Sequence, residues 1–244
     1  MRLDRLRTMV TGAASGIGLA TAEVFARAGS EVVLTDIAED LAEREAQRLR
    51  SSGLQVTHLG LDVASDASVD AAAAKAGPID ILVNVAGWGK IQPFVENDKA
   101  FWDKVIGINF YGVVKLTHAL LPQMIERKRG KIVNVSSDAG RVGSLGETVY
   151  AGAKAGVIGF TKSLARETAR HGITVNCVCP GPTDTPLLAA VPERHREAFQ
   201  KAIPMRRFAK PHEISDAALF FASGHADYVT GQILSVSGGL TLAG

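Results

Sequence analysis

A tyrosine and a lysine four residues apart carry the most chemistry that this sequence offers. Tyr150 and Lys154 stand near the start of a predicted helix, where residues four apart share one face. A phenol has a pKa of about 10 in water, and a nearby ammonium group lowers it because positive charge favours the tyrosinate. A phenol whose pKa approaches neutrality can act as a general acid and base. The spacing alone is common by chance, so its weight depends on the residues around it.

Two further polar residues favour the same chemistry. Ser137 ends a predicted strand thirteen residues before Tyr150, and its hydroxyl can hold a substrate oxygen and stabilise charge that develops on it. Asn109 lies inside a long predicted helix, where its amide can hold a water molecule beside Lys154. Together these side chains predict the transfer of a proton to or from an oxygen atom.

A glycine-rich stretch near the beginning of the chain predicts a phosphate site. Residues 11–18 read TGAASGIG and lie between the first predicted strand and the first predicted helix. Glycine permits a tight turn and a close approach to phosphate, and the N–H groups at a helix N-terminus attract an anion. The residues predicted to bind a dinucleotide cofactor here are Gly12, Ser15, Gly16, Ile17 and Gly18.

A carboxylate ends the second predicted strand. Asp36, eighteen residues after Gly18, can accept hydrogen bonds from the adenosine ribose and repels a phosphate on that ribose. Neither the next two residues nor the glycine-rich stretch supplies an Arg or Lys that would hold such a phosphate. These observations favour NAD over NADP. Taken alone, Asp36 could instead cap a helix or form a turn.

Strand-like and helix-like stretches alternate along the chain and must position these side chains. The predicted strands cover residues 6–10, 31–35, 56–61, 79–85, 131–136, 173–179 and 232–236. Predicted helices cover residues 17–28, 39–49, 68–75, 101–125, 150–169 and 213–222. Strands this uniformly apolar are typical of parallel sheets buried on both faces. The pattern predicts an α/β fold: one doubly wound domain over residues 1–244, with a seven-stranded parallel sheet and helices on both faces.

Ligands in such folds bind outside the carboxyl ends of the strands. The stretches that follow the third and fourth predicted strands therefore add cofactor contacts at Asp62, Val63, Asn84, Ala86 and Gly87. Asp62 taken alone could simply form a turn. A long irregular stretch with four prolines, at residues 181–210, is typical of a segment that closes over a substrate.

The bulk composition argues against several classes of protein. The 27 basic and 25 acidic residues leave a net charge of +2 and no electrostatic footprint for nucleic acid. No run of about 18 apolar residues predicts a membrane span. Neither the histidines nor the two cysteines, Cys177 and Cys179, form a metal-binding pattern. Residues 1–7 are charged and lack the pattern of a secretory leader, so we expect a cytoplasmic protein.

Taken together, these motifs resemble the short-chain dehydrogenase/reductase family over essentially the whole chain. The resemblance rests on TGAASGIG at 11–18, DV at 62–63, NVAG at 84–87, Asn109, SSDAG at 136–140, YAGAK at 150–154 and PGPTDT at 180–185. It implies an oxidoreductase that moves a hydride between a nicotinamide cofactor and a secondary alcohol or ketone. It also implies a homotetramer.

The resemblance further implies a role for each polar residue. Tyr150 exchanges the proton, Ser137 positions the substrate oxygen, and Asn109 maintains a water relay. Lys154 lowers the pKa of Tyr150 and binds the nicotinamide ribose. Additional cofactor contacts are implied for Pro180, Gly181, Thr183 and Thr185.

The substrate is less well defined. Within the family the chain is similar to the 3-oxoacyl reductase-like branch, and more narrowly its site stretches resemble the 2-hydroxycyclohexanecarboxyl-CoA dehydrogenases. The likeness implies a cyclic or β-hydroxyacyl-CoA thioester. An apolar pocket could be lined by Trp88, Phe94, Val142, Leu145, Leu187 and Leu188, and an anionic group could be met by Arg141, Arg206 and Arg207.

Two alternatives remain open at this point. One is a biosynthetic 3-oxoacyl-carrier-protein reductase, against which Asp36 argues because biosynthetic reduction usually draws on NADPH. The other is a non-catalytic NAD-binding sensor or scaffold. Such proteins tend to lose the catalytic side chains, and Ser137, Tyr150 and Lys154 are all present here.

Overall fold

A computed structural model of the protein describes residues 1–242, and a single parallel sheet runs through it. Its seven strands lie in the order β3-β2-β1-β4-β5-β6-β7. They are β1 (Arg7–Thr11), β2 (Glu31–Asp36), β3 (Val56–Gly60), β4 (Ile81–Asn84), β5 (Gly130–Val135), β6 (Ile173–Pro180) and β7 (Ile233–Val236). The predicted α/β fold is confirmed. The last two residues of the predicted domain lie outside the described part.

Helices cover both faces of the sheet. They are α1 (Gly16–Arg27), α2 (Glu39–Ser51), α3 (Asp66–Ala76), α4 (Lys99–Ile106), α5 (Gly112–Glu126), α6 (Ala139–Val142), α7 (Thr148–Thr168), α8 (Pro186–Ala189), α9 (Glu193–Ala202) and α10 (Pro211–Ala222). One core joins α1, α2 and α10 to the sheet, and a second joins α3, α5 and α7 to its other face. Both cores are needed because the parallel strands are apolar on both sides.

The chain order places a crevice at the centre of the sheet. The chain forms β1, β2 and β3 in one direction and then returns to place β4 on the other side of β1. Helices that follow these strands therefore diverge to opposite faces, and their loops separate at the carboxyl ends of β1 and β4. This is where the sequence analysis placed the cofactor residues.

Helices α4 and α5 form one continuous helical stretch with an irregular turn inside it. Residues Gly107–Tyr111 adopt a π-helical turn, which the sequence pattern did not predict. By length and mean hydropathy the whole stretch, Lys99–Glu126, could cross a membrane. Core helices pass the same test, and Leu116, Leu120 and Met124 are fully buried against the sheet here.

A buried polar chain ties two strands to α7. The Asn84 amide donates to Asn134 Oδ1 over 2.9 Å, and the Asn134 amide donates to Thr161 Oγ1 over 2.9 Å. Thr161 in turn donates to the Val157 carbonyl over 2.8 Å. Since buried polar groups are costly when unpaired, this chain stabilises one relative position of β4, β5 and α7.

Replacing Asn134 by alanine should lower the free energy of unfolding by about 2–3 kcal/mol, because two buried groups lose a partner. Urea denaturation of the purified protein measures this. Asn97→Ala is the control, since the Asn97 amide bonds only the Pro93 carbonyl at an exposed site. A loss for Asn134→Ala no larger than for the control would contradict the role given to the chain.

Candidate active site

A cavity of about 750 Å³ opens where the strands end. Predicted cofactor residues that end or follow β1, β2, β3, β4 and β6 line it, together with two from α7. They are Gly12, Ser15, Gly16, Ile17, Gly18, Asp36, Asp62, Val63, Ala86, Gly87, Tyr150, Lys154, Pro180, Gly181, Thr183 and Thr185. Ser137 lines the same cavity. The structure thus brings together residues spread over most of the chain.

The glycine-rich loop packs too tightly for side chains. Gly12 has a φ of +61°, and a Cβ there would lie 2.8 Å from the Ala86 Cα. A Cβ on Gly18 would lie 2.1 Å from the Gly12 carbonyl oxygen. Helix α1 begins at Gly16 with no side-chain cap from Ser15 and no acidic residue in its first turn. Its first N–H groups therefore suit an anion such as a pyrophosphate.

Hydrogen bonds hold this loop against its neighbours. Thr11 Oγ1 accepts the N–H groups of Val85 and Ala86 over 2.9 and 3.0 Å, which joins the loop to the end of β4. Asp36 accepts the N–H groups of Ala14 and Ala38 over 3.0 and 2.9 Å. The carboxylate thus forms a turn and also lines the cavity, so its contact with the adenosine ribose stays a prediction.

Asn84 is a correction to the predicted cofactor site. Its amide donates to Thr117 and Asn134, its side chain is buried, and it does not line the cavity. Asn84 is the last residue of β4, and its side chain points toward Thr117 of α5 and Asn134 of β5. The residues after it, Ala86 and Gly87, reach the cavity.

Asn109 lies in the π-helical turn and holds the loop that follows β4. Its amide nitrogen donates to the Trp88 carbonyl over 2.6 Å and to the Val105 carbonyl over 2.9 Å, and its Oδ1 accepts the Trp88 N–H over 3.2 Å. Both amide hydrogens are therefore used. A Cβ on Gly87 would lie 3.0 Å from Asn109 Oδ1 and 3.5 Å from Lys154 Nζ, so this oxygen stands near the lysine.

Ser137, Tyr150 and Lys154 meet at the end of β5. The Lys154 ammonium donates to the Val135 carbonyl over 2.9 Å, and Ser136 Oγ donates to the Lys154 carbonyl over 2.8 Å. The ammonium lies 5.8 Å from the centre of the Tyr150 ring. The Ser137 side chain lies close enough to the Tyr150 hydroxyl to lower the pKa of the tyrosine.

The electrostatics of the tyrosine differ from the expectation. Burial raises the pKa of Tyr150 above its ordinary value, the nearby Glu147 carboxylate raises it further, and the Ser137 side chain opposes both. Burial also lowers the pKa of Lys154 to about 8, because a buried ammonium loses hydration. Lys154 is not among the groups that shift the pKa of Tyr150 in this structure, and the lowering of that pKa by Lys154 stays a prediction.

Glu147 is a residue that the sequence analysis missed. Its carboxyl lines the cavity and accepts a hydrogen bond from Ser144 Oγ over 2.5 Å. Burial raises the pKa of this carboxyl. An acidic residue three positions before Tyr150, in a stretch of small and apolar residues, was the available signal.

The apolar end of the cavity follows the prediction in part. Trp88, Val142, Leu187 and Leu188 line it. Phe94 does not, and its ring stacks on Trp102 with 6.1 Å between the ring centres. Leu145 does not line it either and is almost fully exposed.

The three arginines that could have met an anion lie outside the cavity lining. Arg141 donates to Ser235 Oγ over 2.8 Å, and Arg207 forms an ion pair of 2.6 Å with Glu213. Arg206 donates to the Lys201 carbonyl. Their partners are distant along the chain or in a turn, so spacing alone could not reveal them. Within residues 1–242 no three His, Cys, Asp or Glu side chains come together to hold a metal.

The segment 181–210 lies over the cavity and is closed at its base. Thr183 and Ala209 form a bridge, the Asp184 N–H donates to the Ala209 carbonyl over 2.8 Å, and the Ala209 N–H donates to the Pro182 carbonyl over 3.1 Å. Between these ends, α8 and Phe199 of α9 line the cavity. The hydroxyls of Thr183 and Thr185 donate to the carbonyls of Gly181 and Thr183, which shapes the first turn of the segment.

Known proteins are similar to this chain in sequence and in fold. The family model described as enoyl-(acyl carrier protein) reductase matches residues 12–241. The 3-oxoacyl-(acyl-carrier-protein) reductase FabG of Thermotoga maritima is 40% identical over 246 residues, which cover 99% of this chain and 100% of that protein. The acetoacetyl-CoA reductase of an Acinetobacter species is 38% identical over 239 residues, covering 95% and 96%. The crystal structure of gox2181 superposes with a TM-score of 0.94 at 33% identity, covering 99% and 97%.

The match runs from the glycine-rich loop to the end of the sheet, so it covers all the stretches that line the cavity and not one motif. Their branch is that of the 3-oxoacyl reductases. The chain is therefore an oxidoreductase of alcohol or ketone groups that binds a nicotinamide dinucleotide, and it belongs to the short-chain dehydrogenase/reductase family.

Proposed function

We propose that the protein is an NAD-dependent dehydrogenase of a secondary alcohol, and that this alcohol belongs to a cyclic or β-hydroxyacyl thioester such as 2-hydroxycyclohexanecarboxyl-CoA. The observation that carries the proposal is the meeting of Tyr150, Ser137 and Lys154 beside a cavity with a glycine-rich loop and an acidic ribose partner. Bound NAD would accept the hydride from the alcohol carbon. Side chains that line the cavity transfer the proton of the alcohol.

Tyr150 is the group we assign to proton transfer. As the tyrosinate, formed after its own proton has left toward Lys154 and solvent, it takes the proton of the substrate alcohol during oxidation; as the neutral phenol it gives a proton to the substrate oxygen during reduction. Ser137 holds the substrate oxygen and stabilises negative charge on it. Lys154 supplies positive charge behind the ring and, from the same position, can reach the nicotinamide ribose. Asn109 keeps one lone pair of Oδ1 for a water molecule beside Lys154.

The charges along the cavity support NAD. Among residues 1–242 the only Lys and Arg side chains that line it are Lys104 and Lys154, which stand at the substrate end with Trp88 and Tyr150. Asp36 and Asp62 line the end that suits adenosine. A phosphate on the ribose would meet the Asp36 carboxylate with no cation to balance it. The same cavity suits a 3-oxoacyl reductase working in the opposite direction, and the similarity to an acetoacetyl-CoA reductase favours it as the second candidate.

Three features of the assembled enzyme belong to the same proposal. The segment 181–210 acts as a substrate lid, and NAD with substrate should slow its cleavage by protease. The exposed side of α5 and α7, together with Tyr111 just before α5, which is 54% exposed, packs against other copies in a homotetramer. Sedimentation that shows a monomer would disprove this. The enzyme works in the cytoplasm, which cell fractionation tests.

The substrate class is tested by a turnover screen with NAD over cyclic alcohols and hydroxyacyl-CoA thioesters. We expect the hydroxyacyl thioesters to give the highest kcat/KM. Turnover confined to simple alcohols would contradict the thioester assignment.

Replacing Tyr150 by phenylalanine should lower kcat by at least about 10²-fold, because the proton loses its acceptor, while NAD binding persists. Tyr228→Phe is the control, since Tyr228 is fully exposed. Steady-state kinetics and NAD titration measure both. Full turnover in Tyr150→Phe would show that the protein uses another proton acceptor, and equal losses in both variants would point to damage of the fold.

Replacing Asp36 by serine should lower the ratio of kcat/KM for NAD to that for NADP by at least about tenfold, because one carboxylate no longer repels the ribose phosphate. Asp40→Ser on the exposed side of α2 is the control and should leave the ratio unchanged. A wild-type preference for NADPH would contradict the cofactor assignment.

A further inference from the structure

One cation at the substrate end of the cavity has no counterion in the protein. Lys104 of α4 and Trp88 both line the cavity, and the Lys104 ammonium lies 4.0 Å from the centre of the Trp88 ring. Toward the residues that the structure describes, the Lys104 side chain makes this ring contact and no hydrogen bond or ion pair. The reaction derived above does not use this ammonium.

The Trp88 ring beneath the ammonium is itself held in place. The Trp88 N–H donates to Asn109 Oδ1 over 3.2 Å, and the Asn109 amide donates to the Trp88 carbonyl over 2.6 Å. The Phe101 ring meets the indole edge-on, with 5.7 Å between the ring centres. A lysine that already lies over a fixed ring loses less freedom when it binds a ligand, and its three N–H groups remain available to donate.

This wall stands close to the proton-transfer group. Trp88 lies directly before Gly89, and a Cβ on Gly89 would lie 3.2 Å from the Tyr150 ring. A substrate whose reacting oxygen meets Tyr150 therefore has the wall of Trp88 and Lys104 beside it.

The other charged side chains of the cavity do not compete for this place. Lys154 donates to the Val135 carbonyl and belongs to the proton-transfer group. The acidic side chains that line the cavity are Asp36, Asp62, Asp138 and Glu147, and none of them pairs with Lys104. A negative group on a bound substrate would therefore find in Lys104 a cation that the protein has not neutralised.

We propose that Lys104 binds an oxyanion, a carboxylate or a phosphate, that the substrate carries apart from its reacting oxygen. This rests on the proposed function and names a second group that the enzyme recognises besides the alcohol. A carboxylate would lie on the carbon skeleton of the substrate, and a phosphate would belong to its phosphopantetheine arm. In both cases a neutral molecule of similar shape binds more weakly.

The fluorescence of Trp88 can report this binding without turnover. The chain has two tryptophans, and Trp102→Phe leaves Trp88 as the only one. Trp102 Nε1 forms no hydrogen bond with the described residues, so this change removes none. Two pairs of probes are titrated into the NAD-bound Trp102→Phe protein: cyclohexanecarboxylate with cyclohexanecarboxamide, and phosphopantetheine with pantetheine. In at least one pair we expect the anion to bind about tenfold more tightly, the effect of one hydrogen bond between charged groups.

Two substitutions at Lys104 and one control test the residue. Lys104→Met keeps the stem over the ring without the charge and should abolish the preference, whereas Lys104→Arg should keep it. Lys99→Met is the matched control, because Lys99 is exposed on the same helix and does not line the cavity. Loss in the first pair alone identifies a carboxylate, loss in the second alone identifies a phosphate, and loss in both shows that the site accepts either.

Three results would overturn the inference. They are equal binding within both pairs by the unsubstituted protein, a preference that Lys104→Met retains, and a preference that Lys99→Met loses to the same extent. Weaker NAD binding by Lys104→Met than by Lys99→Met would also overturn it, since the ammonium would then serve the cofactor phosphates. The probes need no turnover, so a failed turnover screen would count against the proposed function and leave the result for Lys104 standing.

Discussion

One buried hydrogen bond, from the Lys154 ammonium to the Val135 carbonyl, joins the catalytic helix to the sheet. Ser136, the next residue along the chain, donates back to the Lys154 carbonyl, so α7 and the end of β5 hold each other in both directions. Ser137 follows directly and meets Tyr150 from the same helix. An ammonium buried in this way loses hydration, which lowers the pKa of Lys154 to about 8. The lost hydration costs free energy of folding, and the cost falls at the site of proton transfer.

The polar groups around this bond fall into two sets, one for cofactor binding and one for proton transfer. The loop after β1 offers the backbone N–H groups at the start of α1 to the pyrophosphate of the cofactor. The Asp36 carboxylate shapes the loop and would repel a phosphate on the adenosine ribose. The Tyr150 end is buried, and its tyrosine holds the proton more firmly than a phenol in water does. A bound oxidised nicotinamide brings a positive charge to this end. We infer that cofactor binding, acting with Lys154, offsets the burial and the Glu147 charge, so that the tyrosine releases its proton only in the assembled site.

The sequence predicted the fold because its signals are local and repeated. Most strands are largely apolar, each predicted helix begins close to its predicted residue, and the parallel order follows from the alternation of strands and helices. What it could not predict depends on partners far along the chain. Asn84 carries a family motif but pairs with Asn134 inside the fold, and Arg141 pairs with Ser235. The π-helical turn at Asn109 has no local sequence signal of its own, since packing determines it. Glu147 stands out in the sequence as an acidic residue among small and apolar ones, but its place in the cavity wall depends on packing.

The most direct test of this account is an ultraviolet difference titration of Tyr150, comparing the wild type with Tyr150→Phe with and without bound NAD. Without NAD we expect no ionisation of Tyr150 up to a pH of about 10, the ordinary value for a phenol. With NAD bound, the Tyr150 signal should move to lower pH by at least about one unit, and Lys154→Met should abolish that shift. A Tyr150 signal that is unmoved by NAD, or that moves equally without Lys154, would contradict the claim that the assembled site makes this tyrosine the proton-transfer group.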